Sequence, residues 1–299
     1  MVKQRVIVTG AGGQLGTDLV SLLLAEGYEV HGLTRSELDF SSQDEVDEVI
    51  GRISPDVIIH SGAYTKVDQA EAEVGLAFKI NGDGAGFIAQ AAEKAGAKLV
   101  YVSTDYVFDG TAVAPIAETA ATSPVNVYGA SKLEGERQTL AFSSKAFVVR
   151  TSWVYGLHGS NFVRTMLQLA RQGKPLSVVG DQFGCPTFTR DLAGCIVALI
   201  RSDRYGVYHV SNSGSCSWHE FAAAIFEEAG LSVQLQAVTS DQFVRPAIRP
   251  GYSVFAHEAL AQGGFPVMRH WREALQQFLA MENLGAVGYG GRRADSRHS

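Results

Sequence analysis

Tyr128 and Lys132, four residues apart, are the first pair in this chain whose types and spacing could do chemistry. On a helix that spacing puts both side chains on one face, a turn apart. An ammonium so placed favours the phenolate and lowers the cost of the phenol giving up its proton. Such a phenol can pass a proton to or from a carbonyl or carbinol oxygen. The pattern also arises by chance in many helices, so its meaning rests on its surroundings. Upstream, Thr104 and Asp105 follow the β-branched run Lys98-Leu-Val-Tyr-Val102. A strand-end hydroxyl can donate a hydrogen bond where negative charge develops, although a loop hydroxyl is more often a local cap.

A second constellation lies at the start of the chain. The run Arg5-Val-Ile-Val-Thr9 leads into glycines at 10, 13 and 16, and then into an apolar-periodic helix. Strand, glycine loop and helix in this order form a dinucleotide-binding fingerprint. Gly10 permits the tight turn, Gly13 a close approach to a pyrophosphate, and Gly16 the packing of helix on sheet. The helix N-terminus then offers free N–H groups and the positive end of its dipole to the phosphates. After the second strand, Glu29 to Leu33, comes Arg35 rather than an acidic residue, which leans the cofactor toward NADPH, with NADH also acceptable. Asp39 comes late for a ribose ligand and reads as a neighbour of the adenine edge. Gly62 and Ala63 follow the strand Asp56-Val-Ile-Ile-His60 and are small enough to let a cofactor pass.

These groups need a frame, and the frame is legible as alternating strands and helices. The expected fold is α/β, a Rossmann-type parallel sheet with helices on both faces and a smaller C-terminal substrate-binding cap. Residues 1–155 read as the dinucleotide-binding domain, completed by segments near 188–211. Residues 156–187 and 212–281 read mainly as the substrate domain, and 282–299 as a flexible tail. The helix carrying Asn81 is expected from about Phe78 to Ala95, and a final helix from about Met268 to Phe278. The long stretch between Asp109 and Val127 reads as an active-site wall or lid. At 299 residues, with 46% hydrophobic and 19% charged, the composition is that of a globular protein. The formal charge of -6, without a basic block, argues against nucleic acid as the main partner. Cys185, Cys195 and Cys216 are too few and scattered for a disulfide framework or a Cys-rich zinc site, and they suit a reducing cytoplasm. The N-terminal residues show no signal-peptide pattern, and no apolar run reaches bilayer-spanning length, so no membrane association is expected.

Taken together, the motifs resemble those of the extended short-chain dehydrogenase/reductases, and within them the dTDP-4-dehydrorhamnose reductase family. The matching pieces are Thr9 to Gly16, Ala63 to Asp68 with Glu71, Ser103-Thr-Asp-Tyr-Val-Phe-Asp-Gly110, and Tyr128 to Glu136. Further on come Arg150 to Gly156, Asn161-Phe162, Val179 to Gln182 with Gly184 and Pro186-Thr187, and Arg249-Pro250 with Ser253. The resemblance implies a catalytic set of Thr104, Tyr128 and Lys132, with Asp105 close by, and Lys132 also holding the nicotinamide ribose. It extends the cofactor contacts to Gly12, Gln14, Leu15 and Tyr64. It implies a dTDP-linked 4-keto-6-deoxy sugar as substrate, reduced at C4 to dTDP-L-rhamnose. Trp153 is expected as a platform or wall for that substrate, with Thr104, Asp105, Asn161, Gln182 and Arg249 as further contacts. Some relatives bridge a homodimer through magnesium and a glutamate before the first-loop glycine. Here Gln14-Leu15-Gly16 stands in that place, so no metal is expected and a homodimer would need another basis. Two rivals stay open: another nucleotide-sugar reductase or epimerase of the superfamily, and an NADP-binding regulatory subunit without catalysis.

Overall fold

The computed structural model describes residues 3–290, with the side chains of 283–290 left aside. Six short, β-branched strands form one parallel sheet: β1 (Arg5–Thr9), β2 (Glu29–Leu33), β3 (Val57–His60), β4 (Lys98–Thr104), β5 (Ala146–Thr151) and β6 (Gly206–His209). Their spatial order is β6-β5-β4-β3-β1-β2. The direction of winding reverses between β1 and β3, and ligands of open α/β sheets bind at the carboxyl end of such a switch point. In register, Thr9 lies opposite both Leu33 and His60, and Thr104 opposite Thr151, so the polar strand ends share one edge.

Helices cover both faces, as a fully buried parallel sheet requires. On one face α1 (Gln14–Ala25) packs with α6 (Thr189–Ile200), joining Leu15, Leu19 and Leu23 to Leu192, Ile196 and Leu199. On the other lie α2 (Gln43–Ile53), α3 (Gly84–Ala95) and α4 (Val127–Phe142). Three further helices, α5 (Phe162–Ala170), α7 (Trp218–Glu228) and α8 (Trp271–Gly290), build a second apolar core around Tyr155, Phe188, Phe221 and Phe278. Its small sheet pairs Leu235–Val238 with Leu176–Val179 in parallel. Ser217 and Glu220 form a reciprocal capping box at the head of α7.

Two stretches differ from expectation. The helix carrying Asn81 starts earlier, at Val74, and is not α-helical throughout: it passes through a π-turn at Lys79–Asp83 before α3 begins. The extra residue of that turn rotates Asn81 inward, where its Oδ1 accepts from Tyr64 N at 2.8 Å and its Nδ2 donates to Ser131 Oγ at 2.9 Å. The last helix continues to Gly290, so residues 282–290 of the expected tail are helical, and 291–299 lie outside the described residues. The stretch after Asp109 lines no part of the cavity described below and is tied to residues 254–256. Ile116 N donates to Val254 O, and Ala256 N donates back to Ile116 O.

Candidate active site

The turn after β1 is built by glycines, two of which, Gly10 and Gly16, leave no room for a side chain. Gly10 sits at φ +68°, and a Cβ there would lie 2.8 Å from the Gly62 backbone. A Cβ on Gly16 would lie 2.2 Å from Gly10 O, which presses α1 against the turn. Gly13 caps α1 without any side-chain hydrogen bond, so the first-turn N–H groups have no capping side chain. Gly12 and Gly13 are exposed, and a Cβ on Gly12 would meet only Thr34 Cγ2, at 3.8 Å. This open cradle fits a dinucleotide pyrophosphate. Leu15 is buried in the core, leaving its backbone as the group facing the turn. Gln14 turns its side chain away. Its Oε1 accepts from Gly156 N at 3.1 Å and from Asn161 Nδ2 at 3.0 Å.

Along the rim, Arg35 is exposed just past β2. Asp39 is held by Ser41, whose hydroxyl and N–H both donate to Oδ1, and these bonds hold its carboxyl below the usual range. Gly62 is pinned between Phe40 and Thr9, with Ala63 half-buried beside it. Tyr64 is buried and donates its phenol to Glu73 Oε2 at 2.7 Å.

The catalytic candidates converge where β4 ends. Asn126 caps α4 by accepting from Gly129 N at 2.7 Å, and Glu71 Oε1 accepts from Val127 N at 2.9 Å. These bonds fix Tyr128 in the first turn. Gly129 lets the helix approach closely, since a Cβ there would fall 2.1 Å from Tyr106 O. The Thr104 hydroxyl lies at the Tyr128 phenol, and also donates to Asp105 Oδ1 at 3.0 Å. Asp105 is 2% exposed, and its Oδ2 accepts from Ser253 Oγ at 2.7 Å. Burial pushes the Asp105 carboxyl up to about 6, against the pull of the Ser253 and Thr104 hydrogen bonds.

The electrostatics differ from the expectation of a lowered phenol. Burial pushes Tyr128 up to about 12, the Thr104 hydrogen bond opposes this, and the nearby Asp105 charge adds to it. Lys132 is buried, and its Nζ sits over the Tyr101 ring, 4.1 Å from the centroid. Burial brings its ammonium down to about 7, with Glu136 pulling upward. Desolvation outweighs charge pairing at both groups. Glu136 was not visible as a site residue in the sequence. It accepts from Ser103 Oγ at 2.5 Å and from Arg150 Nε and Nη2 at 2.9 and 2.7 Å, a buried ion pair beneath the lysine. Its sequence signals are an i+4 position after Lys132 and its place at the end of the Tyr128 to Glu136 motif.

A cavity of about 850 Å³ runs from Tyr106 into the cap. Tyr106 stands edge-on to Tyr128, ring centroids 5.7 Å apart, and so links the cavity to the phenol. Of the expected substrate contacts, Gln182 and Arg249 line it, and Thr104, Asp105, Trp153 and Asn161 do not. Gln182 Nε2 donates to Ser240 Oγ at 2.9 Å. Asn161 caps α5 and spends its amide on Gln14 and Gly156. Trp153, at φ +45°, covers Gly184 and stacks face to face on Trp218 at 3.5 Å and 7°. The indole lining the cavity is therefore Trp218, which no local pattern singled out. Among the described residues, no cluster of three His, Cys, Asp or Glu side chains is placed to hold a metal, and no helix is long and apolar enough to cross a membrane.

Comparison with known proteins supports the same reading. The family model described as RmlD substrate binding domain matches residues 4–283. The chain is 46% identical to the spore coat polysaccharide biosynthesis protein SpsK of Bacillus subtilis, over 92% of this chain and 96% of that protein. It is 40% identical to a dTDP-4-keto-6-deoxy-D-glucose reductase of Streptomyces niveus, over 93% and 98%. The crystal structure of a dTDP-4-dehydrorhamnose reductase from Bacillus anthracis in complex with NADP superposes with a TM-score of 0.92 at 46% identity, covering 94% of this chain and all of that one.

Proposed function

The chain belongs to the dTDP-4-dehydrorhamnose reductase family, and from that premise we propose that Tyr128, Thr104 and Lys132 carry its reaction. The enzyme is an NAD(P)H-dependent oxidoreductase that reduces a dTDP-linked 4-keto-6-deoxy sugar to dTDP-rhamnose. The nicotinamide supplies the hydride. The chain's own residues do the rest. Thr104, turning its single proton from Asp105 to the carbonyl oxygen, and Tyr128 hydrogen-bond that oxygen as charge develops on it, and Tyr128 gives it a proton. A phenol held near 12 stays protonated at neutral pH, as a proton donor must. An alkoxide is a far stronger base than a phenolate, so the transfer still runs downhill. Lys132, one turn along, holds the nicotinamide ribose through its ammonium donors. Asp105, kept largely dry, braces the Thr104 hydroxyl.

The observation that supports this reading is the grouping at the end of β4: Tyr106, whose N–H donates to the Thr104 hydroxyl at 3.2 Å, stands edge-on to Tyr128 with ring centroids 5.7 Å apart, and the phenol's titration feels the threonine hydroxyl. Gln182 and Arg249, on the cavity wall, are the proposed contacts to the nucleotide diphosphate. NADPH is the proposed cofactor, with Arg35 pairing the 2'-phosphate at the rim beside the glycine turn, and NADH as the weaker alternative. Tyr128→Phe is expected to lower kcat/KM roughly 100-fold or more while leaving NADPH affinity nearly unchanged. Loss of NADPH absorbance with dTDP-4-dehydrorhamnose measures this, and repeating it with NADH gives the cofactor preference. Activity of the Phe variant within a few-fold of the parent enzyme would transfer the acid role to another group. Because one relative is named for dTDP-4-keto-6-deoxy-D-glucose, that sugar belongs in the same assay.

A further inference from the structure

The segment Ala63 to Asp68 is singled out by the sequence, and the reaction chemistry leaves its last residue without a role. Asp68 lies in the short helix Val67–Ala70, five residues past Ala63 on the segment that follows β3. Its carboxylate reaches across to residues 245–249 of the cap. Arg249 Nη1 donates to Asp68 Oδ1 at 2.5 Å and Nη2 to Oδ2 at 2.9 Å, a two-pronged pair across 181 positions of sequence. Ala247 N donates to Oδ1 at 3.3 Å, and Arg245 Nη1 stands 3.6 Å from Oδ2. Nη1 of Arg249 spends its second hydrogen on Ala247 O at 2.6 Å.

A guanidinium has five N–H donors. Three are engaged with Asp68 and Ala247, which leaves Nε–H and one Nη2 hydrogen, with the Tyr106 phenol also at the guanidinium. Arg249 and Tyr106 both line the cavity. Two arginines against one carboxylate leave a local charge of +1, which suits an anionic ligand. Residues 240–249 are also tied at their start, where Ser240 N and Oγ donate to Asp181. Between these anchors Val244 and Ile248 line the cavity while remaining 83% and 67% exposed.

We propose that Asp68 is a positioning residue that fastens the cavity-lining strap 245–249 to the dinucleotide domain and orients Arg249 to receive the substrate's diphosphate. This rests on the reading of Arg249 as a diphosphate contact. Asp68→Asn keeps the size and removes the charge that fixes the fork. It is expected to raise KM for the keto sugar about tenfold, with kcat within threefold and NADP+ affinity unchanged. Arg249→Ala is expected to raise the same KM at least as much, and the double variant no further than Arg249→Ala alone, because the two act as one unit. Asp68→Glu retains the charge but displaces it by a methylene, and an intermediate KM in a protein of parental melting temperature guards against misfolding of the Asn form. If Arg249→Ala raises KM while both Asp68 variants match the parent, Asp68 has no positioning role. If Arg249→Ala itself leaves KM unchanged, the diphosphate reading of Arg249 fails first and the proposal falls with it.

Discussion

At the scale of single residues, the site is governed by desolvation. Tyr128 and Lys132 are the spacing that sequence makes conspicuous, yet the lysine's charge does not lower the phenol in this geometry. Burial raises one group and depresses the other, and Lys132 rests on the Tyr101 ring above the Glu136–Arg150 pair. A stability consequence follows. Lys132 falls from its ordinary 10.5 to about 7 in the fold, so between those values the unfolded chain binds the extra proton. Stability therefore rises with pH across that window, and below it the enzyme carries the full cost of a buried ammonium. Lys132→Met is expected to melt at a higher temperature than the parent at pH 7 while losing activity. The gap in melting temperature should shrink as pH is raised toward 10. A variant that melts lower at both pH values would show that the ammonium is net stabilising where it sits. Glu136→Gln runs the other way. It leaves the Arg150 guanidinium buried and half-paired, and a loss of about 3–5 kcal/mol in denaturant unfolding is expected.

Elements decide which of these residues meet. The glycine turn and the head of α4 were legible because each is a contiguous motif whose function depends on its own backbone. Gly10 needs a positive φ, and Gly16 and Gly129 need the absence of a Cβ, and such demands are written locally. The π-turn at Lys79–Asp83 was not legible. It has no composition of its own and is held by tertiary bonds from Asn81 to Tyr64 and Ser131. Trp218, Glu136 and the Asp68–Arg249 pair were equally hidden, since their partners lie far along the chain or across the domain boundary. Asn126 shows how one side chain serves two elements. Its Oδ1 caps α4, and its Nδ2 donates to Ile248 O at 2.8 Å. Asn126→Ala is expected to cost about 1–2 kcal/mol, read as a melting temperature lower by about 2–4 °C. Asn126→Ser, which restores the cap but not the bond to Ile248, should recover most of that stability. Full loss in the Ser variant would assign the energy to the Ile248 contact instead.

Across the whole molecule, the parallel sheet and the cap have separate apolar cores, joined by a smaller apolar cluster of Val107, Phe108 and Leu133 with Cys185, Val254 and Phe255 and by polar seams. The overall α/β plan followed from strand and helix periodicity, whereas the seams did not, because each joins residues remote in sequence. Gln14 is one seam, tying the nucleotide turn to Gly156 and Asn161 through a single oxygen. The Asp68–Arg249 pair is another. Gln14→Ala removes two hydrogen bonds worth about 1 kcal/mol each, and KM for both NADPH and the keto sugar is expected to rise roughly tenfold. Initial rates with each substrate varied in turn separate this from Asp68→Asn, which should move the sugar KM alone. A rise confined to NADPH would mean that Gln14 serves the turn and not the seam.

The face-to-face contact of Trp153 with Trp218 spans the same boundary, one ring from the end of the sheet and the other from the head of a cap helix. Two indoles at that separation share their excited state, and the chain has only one other, Trp271. The stacked pair is thus an unlabelled optical gauge of the junction between sheet and cap. Any motion that slides the cap from the sheet must part the rings and alter their ultraviolet emission, so rapid-mixing fluorescence can time that motion in the unmodified enzyme.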